Sequence, residues 1–171
     1  MVHGTHNALN DDRNDYIKIY VNGEILSRSE AKISVFDSGY LVGDGVWEAV
    51  RLYKGTLIFI DDHLTRLWNA AKATGIQLPF TKNELIDIIK SVLLENNMTD
   101  GVHVRIMVTR GIKKTPSQDP RLTISGPNLV IIPEFKLADP ETKSKGIKLF
   151  TSTVRRGSPD YLDPKLNCHS K

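Results

Sequence analysis

Apolar and polar positions change period several times along this chain, and each change marks an element. They alternate from Ile17 to Val21, Asn22-Gly23 follows, and Glu24 to Leu26 reads as the returning arm. An Asn-Gly pair between two short β-like runs predicts a hairpin. Val46 to Tyr53 is β-like again and ends at Lys54-Gly55, which turns the chain into Leu57 to Ile60. The period then becomes helical: Leu64, Leu67, Trp68 and Ala71 share one side of a helix that Asp61 or Asp62 can cap and Gly75 stops. A second helix begins at Thr81, which forms a capping-box pattern with Glu84, and its buried side carries Leu85, Ile88, Ile89, Val92 and Leu93.

Val102 to Thr109 returns to strand period, and residues 111–127, rich in Pro, Gly and charge, form a long loop of the kind that often carries function. Asn128 to Ile132 and Ile147 to Val154 read as further strands joined by the polar segment Ala138 to Gly146. Residues 1–15 lack periodicity and read as a mobile arm. This order predicts an α+β unit over residues 16–125, followed over 126–171 by the start of a second domain too short to close. No internal repeat is present.

Strand period also assigns faces. Val46, Glu48, Val50 and Leu52 share one side of their strand, and Trp47, Ala49, Arg51 and Tyr53 share the other. In the later strand, Val102, Val104, Ile106 and Val108 oppose His103, Arg105, Met107 and Thr109. Cations among aromatic and soft side chains suit a carboxylate-bearing, partly apolar ligand, because arginine pairs bidentately with a carboxylate and aromatic walls exclude water. The alternative is the solvated side of an antiparallel sheet. Arg66, one helical turn after His63, carries a donor fork that suits phosphate, although an exposed helical arginine usually does nothing specific.

Bulk composition narrows the classes. With 40% hydrophobic and 25% charged residues over 171 positions, the chain is neither disordered nor membrane-spanning in type. Its formal charge of +3 comes from scattered Lys and Arg, without the basic, aromatic-interleaved run that nucleic-acid binding favours. One cysteine, Cys168, allows no internal disulfide and suits a reducing compartment. Lacking a membrane-length apolar run and a signal-peptide core, the chain reads as cytoplasmic. His3 and His6 have no supporting ligand nearby and read as a solvated tail, so no metal site is expected. Cys168-His169 does not read as a nucleophile and base, since neighbours on a helix point about 100° apart.

Two motifs in order carry a family resemblance. Gly43-Asp44-Gly45-Val46-Trp47-Glu48-Ala49-Val50-Arg51 is similar to the glycine-rich strand of the fold-type IV, or class IV, pyridoxal-phosphate aminotransferases, which include branched-chain and D-amino-acid enzymes. His63-Leu64-Thr65-Arg66-Leu67 resembles that family's His-x-x-Arg-Leu element. The resemblance implies a two-domain fold whose second domain is incomplete here, pyridoxal 5'-phosphate as cofactor, and transfer of an amino group from an amino acid or amine to a 2-oxo acid. It also implies a homodimer. By position, Arg66 would bind the cofactor phosphate and Trp47 would wall the substrate pocket beside Arg51. His103-Val104-Arg105 resembles a Tyr-x-Arg element whose arginine holds the substrate carboxylate, with histidine replacing tyrosine.

The family's Schiff-base lysine has two candidates in Asp163-Pro164-Lys165-Leu166-Asn167-Cys168-His169-Ser170-Lys171. Lys165-Leu166-Asn167 is one residue short of the family's Lys-x-x-Asn wording. An ungapped match to its Asp-Pro-x-x-Lys form puts Asn167 at the lysine position, and Lys171, four residues on, would share that face of a helix about 6 Å along the axis. Lys171 is the preferred attachment residue and Lys165 the alternative. Two other functions stay open: a carbon–nitrogen lyase of the same fold, like aminodeoxychorismate lyase, and a cofactor-free binding or assembly fragment.

Overall fold

The computed structural model describes residues 10–155, 157–160, 163 and 165–170. Six strands form one antiparallel sheet, in the order β2-β1-β6-β5-β3-β4. The hairpin of β1 (Lys18–Val21) and β2 (Glu24–Ser27) turns at Asn22 and Gly23, both at positive φ, as the Asn-Gly signal requires. A five-residue helix, α1 (Ser38–Val42), leads into the long strand β3 (Gly45–Tyr53), and Lys54-Gly55 turns it into the two-residue β4 (Thr56–Leu57). Next come α2 (Ile60–Thr74), α3 (Lys82–Glu95), β5 (Val102–Thr109) and β6 (Asn128–Phe135), and a short α4 (Pro140–Lys145) follows the sheet.

Both long helices lie on one face. The inward set of β3 and β5 is the predicted one: Val46, Val50, Val102, Val104, Ile106 and Val108 are buried, beside Ile131 of β6. Leu64 and Leu67 of α2 and Leu85 and Ile89 of α3 close over them. Each such side chain contributes about 1.5–3 kcal/mol when removed from water, so this layer is the main source of stability. Thr81 and Glu84 form the expected reciprocal capping box, and Gly75 ends α2 in a left-handed conformation with Ile76 N–H donating to Ala71 O.

Several expectations need correction. Asp61 and Asp62 lie in the first turn of α2, whose N-cap position is Phe59 with no side-chain cap. The sheet runs past residue 125, the expected end of the first domain, because β6 is hydrogen-bonded between β1 and β5. Residues 147–154 form no strand: no neighbouring strand offers them a ladder, and Leu149, Phe150 and Val154 stand exposed. Asp12–Tyr16, expected mostly in a mobile arm, forms a 3-10 helix docked on β6, where Asn14 both donates to Phe135 O and accepts from Phe135 N, and Arg13 lies 3.6 Å from the Phe135 ring centroid. His3 and His6 lie outside the described residues.

Candidate active site

β3 carries a different apparatus on each face. On the helix face Glu48 is buried, a place where an acid must be paired. Arg66, on α2, meets it with both prongs: Nε donates to Oε2 and Nη2 to Oε1, each at 2.7 Å. Ala49 N–H donates to Oε1 at 2.9 Å, and His63 Nδ1 lies 3.1 Å from the same oxygen. Burial pushes the Glu48 carboxyl up, but the Arg66 fork, the Ala49 N–H and His63 outweigh it and hold the group below the usual carboxylate range. Nη1 of Arg66 takes no part in the bidentate pair, and the arginine side chain is half exposed.

The opposite face holds the other predicted residues in cross-strand rows. Trp47 stands opposite Met107, Ala49 opposite Arg105, and Arg51 opposite His103. Arg105 lies on the Trp47 ring, its guanidinium carbon 4.2 Å from the centroid, a cation–π contact. A cavity of about 690 Å³ opens beside it, lined by His103, Arg105, Met107, Ile132, Glu134 and Lys136 together with the N-terminal 3-10 helix. The other cations there are neutralised, Arg28 by Asp15 at 3.3 Å and Lys136 by Glu134 at 3.5 Å. Arg105 has no acidic partner among the described residues. His103 is pushed below its ordinary pKa by burial and by repulsion from Arg105 and Lys136, against a smaller opposing pull from Glu134. Arg51 shares the face but does not line that cavity: Nη2 donates to Lys136 O at 2.9 Å and fixes the exit of β6.

The lysine-bearing segment docks on the free edge of β3. β4 pairs only with Leu52 and Tyr53, which leaves the N-terminal half of β3 open. Asn167 O accepts from Trp47 N–H, His169 N–H donates to Gly45 O, and Cys168 O accepts from Trp47 Nε1. Cys168 forms an antiparallel bridge with Val46. The backbone around Cys168 is therefore bridged to β3 and not helical, so the helical spacing that linked Asn167 to Lys171 finds no support among residues 167–170. Lys171 itself lies outside the described residues, while Lys165 is exposed.

Residues 45–167 match the profile of amino-transferase class IV. The chain belongs to the class IV aminotransferase family. It is 39% identical over 152 residues to a putative branched-chain-amino-acid aminotransferase of Methanocaldococcus jannaschii, covering 88% of this chain and 50% of the relative. Against a D-alanine aminotransferase of Staphylococcus epidermidis it is 38% identical over 94 residues, covering 55% of this chain and 33% of the relative. Among solved structures, the branched-chain amino acid aminotransferase of T.th. complexed with N-(5'-phosphopyridoxyl)-L-glutamate aligns with a TM-score of 0.78 at 23% identity, over 91% of this chain and 51% of that one. The likeness shows the class IV α+β fold. The chain spans between about a quarter and half the length of the branched-chain-type relatives it matches.

Three charged contacts around the site are not announced by the two motifs. Glu48 falls on the inward face by strand period, and a buried acid there is itself the signal that a cation must reach it. Asp37, fully buried, accepts from Gly39 and Tyr40 N–H, Thr109 Oγ1 and Asn128 Nδ2, which ties α1 to β5 and β6. Asp44 pairs bidentately with Arg110 at 2.6 and 3.0 Å, and that arginine also donates to Thr74 and Gly75 carbonyls. No short-range pattern signals either of the last two.

Proposed function

We propose that this chain supplies the small domain and the lysine segment of a pyridoxal-phosphate-dependent aminotransferase that moves an amino group between an amino acid and a 2-oxo acid. The observation that carries the reading is Arg105: a guanidinium stacked on Trp47, in a cavity whose other cations are paired, with no acidic partner among the described residues. A desolvated arginine of that kind fits a carboxylate bidentately. Residues 167–169 dock on the edge of β3, the strand whose Glu48 holds Arg66 on one face and whose Trp47 carries Arg105 on the other.

The residues fit the cofactor. Glu48 sets the Arg66 fork in one orientation, and the half-exposed guanidinium keeps donors for phosphate oxygens. When bound, pyridoxal phosphate supplies the electron sink that makes the α C–H bond of an amino acid acidic. Lys171 is the proposed attachment residue, and its freed amine carries the proton taken from that carbon. Arg105 orients the substrate carboxylate, and Trp47 excludes water from one side. His103, held towards the neutral form beside Arg105, leaves the anion-binding charge to the arginine. The homodimer and the cytoplasmic setting remain part of this reading, the latter supported by the single unpaired cysteine.

Incubation with pyridoxal phosphate, borohydride reduction and peptide mapping test the proposal. Phosphopyridoxyl mass on Lys171 is the expected result, and Lys171→Ala should abolish it while Lys165→Ala leaves it. Mass on Lys165 moves the attachment point, and mass on neither lysine overturns the aminotransferase reading.

A further inference from the structure

Backbone pairing alone does not explain how the segment before Lys171 is held. The His169 ring fills a slot whose walls lack side chains. A Cβ on Gly39 would stand 3.0 Å from its Nδ1, and a Cβ on Gly45 would stand 2.9 Å from both Nδ1 and Cε1. The same two positions are closed from the sheet side, where Thr109 Cγ2 would lie 2.5 Å from the Gly39 Cβ and Val108 O 2.8 Å from the Gly45 Cβ. A flat ring therefore fits only because both neighbours are glycine.

The ring also carries an unpaired polar atom. His169 Nε2 is buried with no hydrogen-bond partner, and the ring lines an apolar cavity of about 340 Å³ together with Asp37, Tyr40, Met107 and Val130. Asp37 is the nearest acid of α1, but its two oxygens already accept four bonds, so it has little capacity left for a second ring N–H. A neutral imidazole tolerates this place, whereas an imidazolium would bury a donor without an acceptor.

We propose that His169 is a positioning residue: its ring, seated between Gly39 and Gly45, fixes the register of residues 167–170 on the edge of β3, the segment that leads to the proposed attachment lysine. The catalytic consequence rests on the aminotransferase reading above; the docking role does not. The ionisable groups facing the ring are Asp37 from α1, Asp44 before β3 and Arg105 from β5. Burial lowers the affinity of the ring for a proton. Asp37, a hydrogen bond with the Val46 backbone and Asp44 oppose that, Arg105 reinforces it, and the net shift is below the ordinary histidine value. Acidification should therefore loosen the segment before it unfolds the sheet.

The test is amide hydrogen exchange on the whole chain, read at Trp47 and His169, whose N–H groups bond Asn167 O and Gly45 O, against Val104 and Ile106 of the central ladder. His169→Ala should speed exchange at the first pair at least about tenfold and leave the second pair unchanged. His169→Gln, flat, similar in reach and uncharged at every pH, should restore most of the protection. In the wild type the ratio of the two pairs should shift as pH falls from about 7.5 to about 5.5, and in His169→Gln that shift should vanish. Unchanged exchange in His169→Ala overturns the proposal, and so does loss spread equally over Val104 and Ile106 in both variants, which would assign the ring to core packing. Borohydride labelling of the same proteins separates the two readings. Label confined to one lysine in wild type and His169→Gln but reduced or scattered in His169→Ala supports both, whereas no label anywhere, with the exchange pattern as expected, overturns the cofactor reading and leaves the docking role standing.

Discussion

The Glu48–Arg66 pair makes an asymmetric prediction, because one partner is buried and the other is not: the side-chain exposures are 2% and 51%. Arg66→Ala strands a carboxylate in the core with only the Ala49 N–H and His63 to meet it. Removing one partner of a fully buried pair costs about 3–5 kcal/mol. Water already screens the arginine end and two donors remain, so the expected destabilisation is about 1.5–3 kcal/mol. Glu48→Gln leaves an arginine that water can solvate and an amide oxygen that still accepts one bond, for a loss of about 0.5–1.5 kcal/mol. The double variant should cost less than the sum, since the two removals share one interaction.

Acid provides the decisive arm. The folded-state pKa of Glu48 is depressed, so its contribution is present above the unfolded value of about 4.3 and is lost as pH falls through the folded value. In Arg66→Ala burial is no longer outweighed, the carboxyl moves up, and the folded state binds a proton more readily than the unfolded one. Stability of that variant, relative to wild type, should therefore recover between about pH 7 and about pH 4.5. Urea unfolding of the three variants at several pH values reads this directly. A penalty for Arg66→Ala that is constant with pH, or no larger than that of Glu48→Gln, would refute the burial argument.

Other expectations follow from the same geometry. Arg105→Ala should raise KM for amino acids far more than for carboxylate-free amines and leave cofactor binding intact; equal losses for both donor types would remove Arg105 from carboxylate recognition. Arg66→Ala should weaken pyridoxal phosphate binding by about 1.5–3 kcal/mol in a titration, one charge-assisted pair, and Glu48→Gln by clearly less, since the cation stays. Asp37→Ala leaves four donors without their acceptor and should destabilise the fold by about 2–4 kcal/mol in urea, a loss under about 1 kcal/mol arguing against its role as a hub. His103 and His169 both have lowered folded pKa values, so the unfolded chain binds more protons below about pH 6.5 and stability should fall as pH drops from about 7 to about 5; His103→Gln with an unchanged slope would contradict its share.

What is legible in the sequence is whatever local pattern decides. The alternation of Val46 to Tyr53 determines which side chains enter the core, since a one-residue slip would bury Arg51 and expose Val50. Thr81 and Glu84 announce α3 because a capping box is a contact between near neighbours. Non-local contacts stay hidden. The long loop before β6 suggests a domain boundary, yet the strand returns across that loop to the middle of the sheet. Residues 147–154 have strand-like composition, but a strand needs a partner edge more than it needs propensity. α1 has five residues and no apolar period; its N-cap, Asp37, is held by Thr109 and Asn128 on two distant strands. The spacing before Lys171 suits a helix, whereas an unfilled half-edge of β3 draws the segment into a ladder.

The two arginines that the motifs single out are prepared for different work. Glu48 cancels the charge of Arg66, so what that residue offers an anion is a fixed set of directed N–H donors held by a buried acid, a geometry suited to a group that stays in place. Arg105 keeps its charge. The Trp47 ring shields one face of it without neutralising it, His103 beside it is shifted away from protonation, and Asp15 and Glu134 of its cavity are engaged by Arg28 and Lys136. On the proposed reading, an unpaired cation in a partly desolvated cleft suits a carboxylate that binds and leaves again. On that same reading, placing the two on opposite faces of β3 would keep a lasting anchor from competing with a transient one, on either side of the strand edge where residues 167–169 dock.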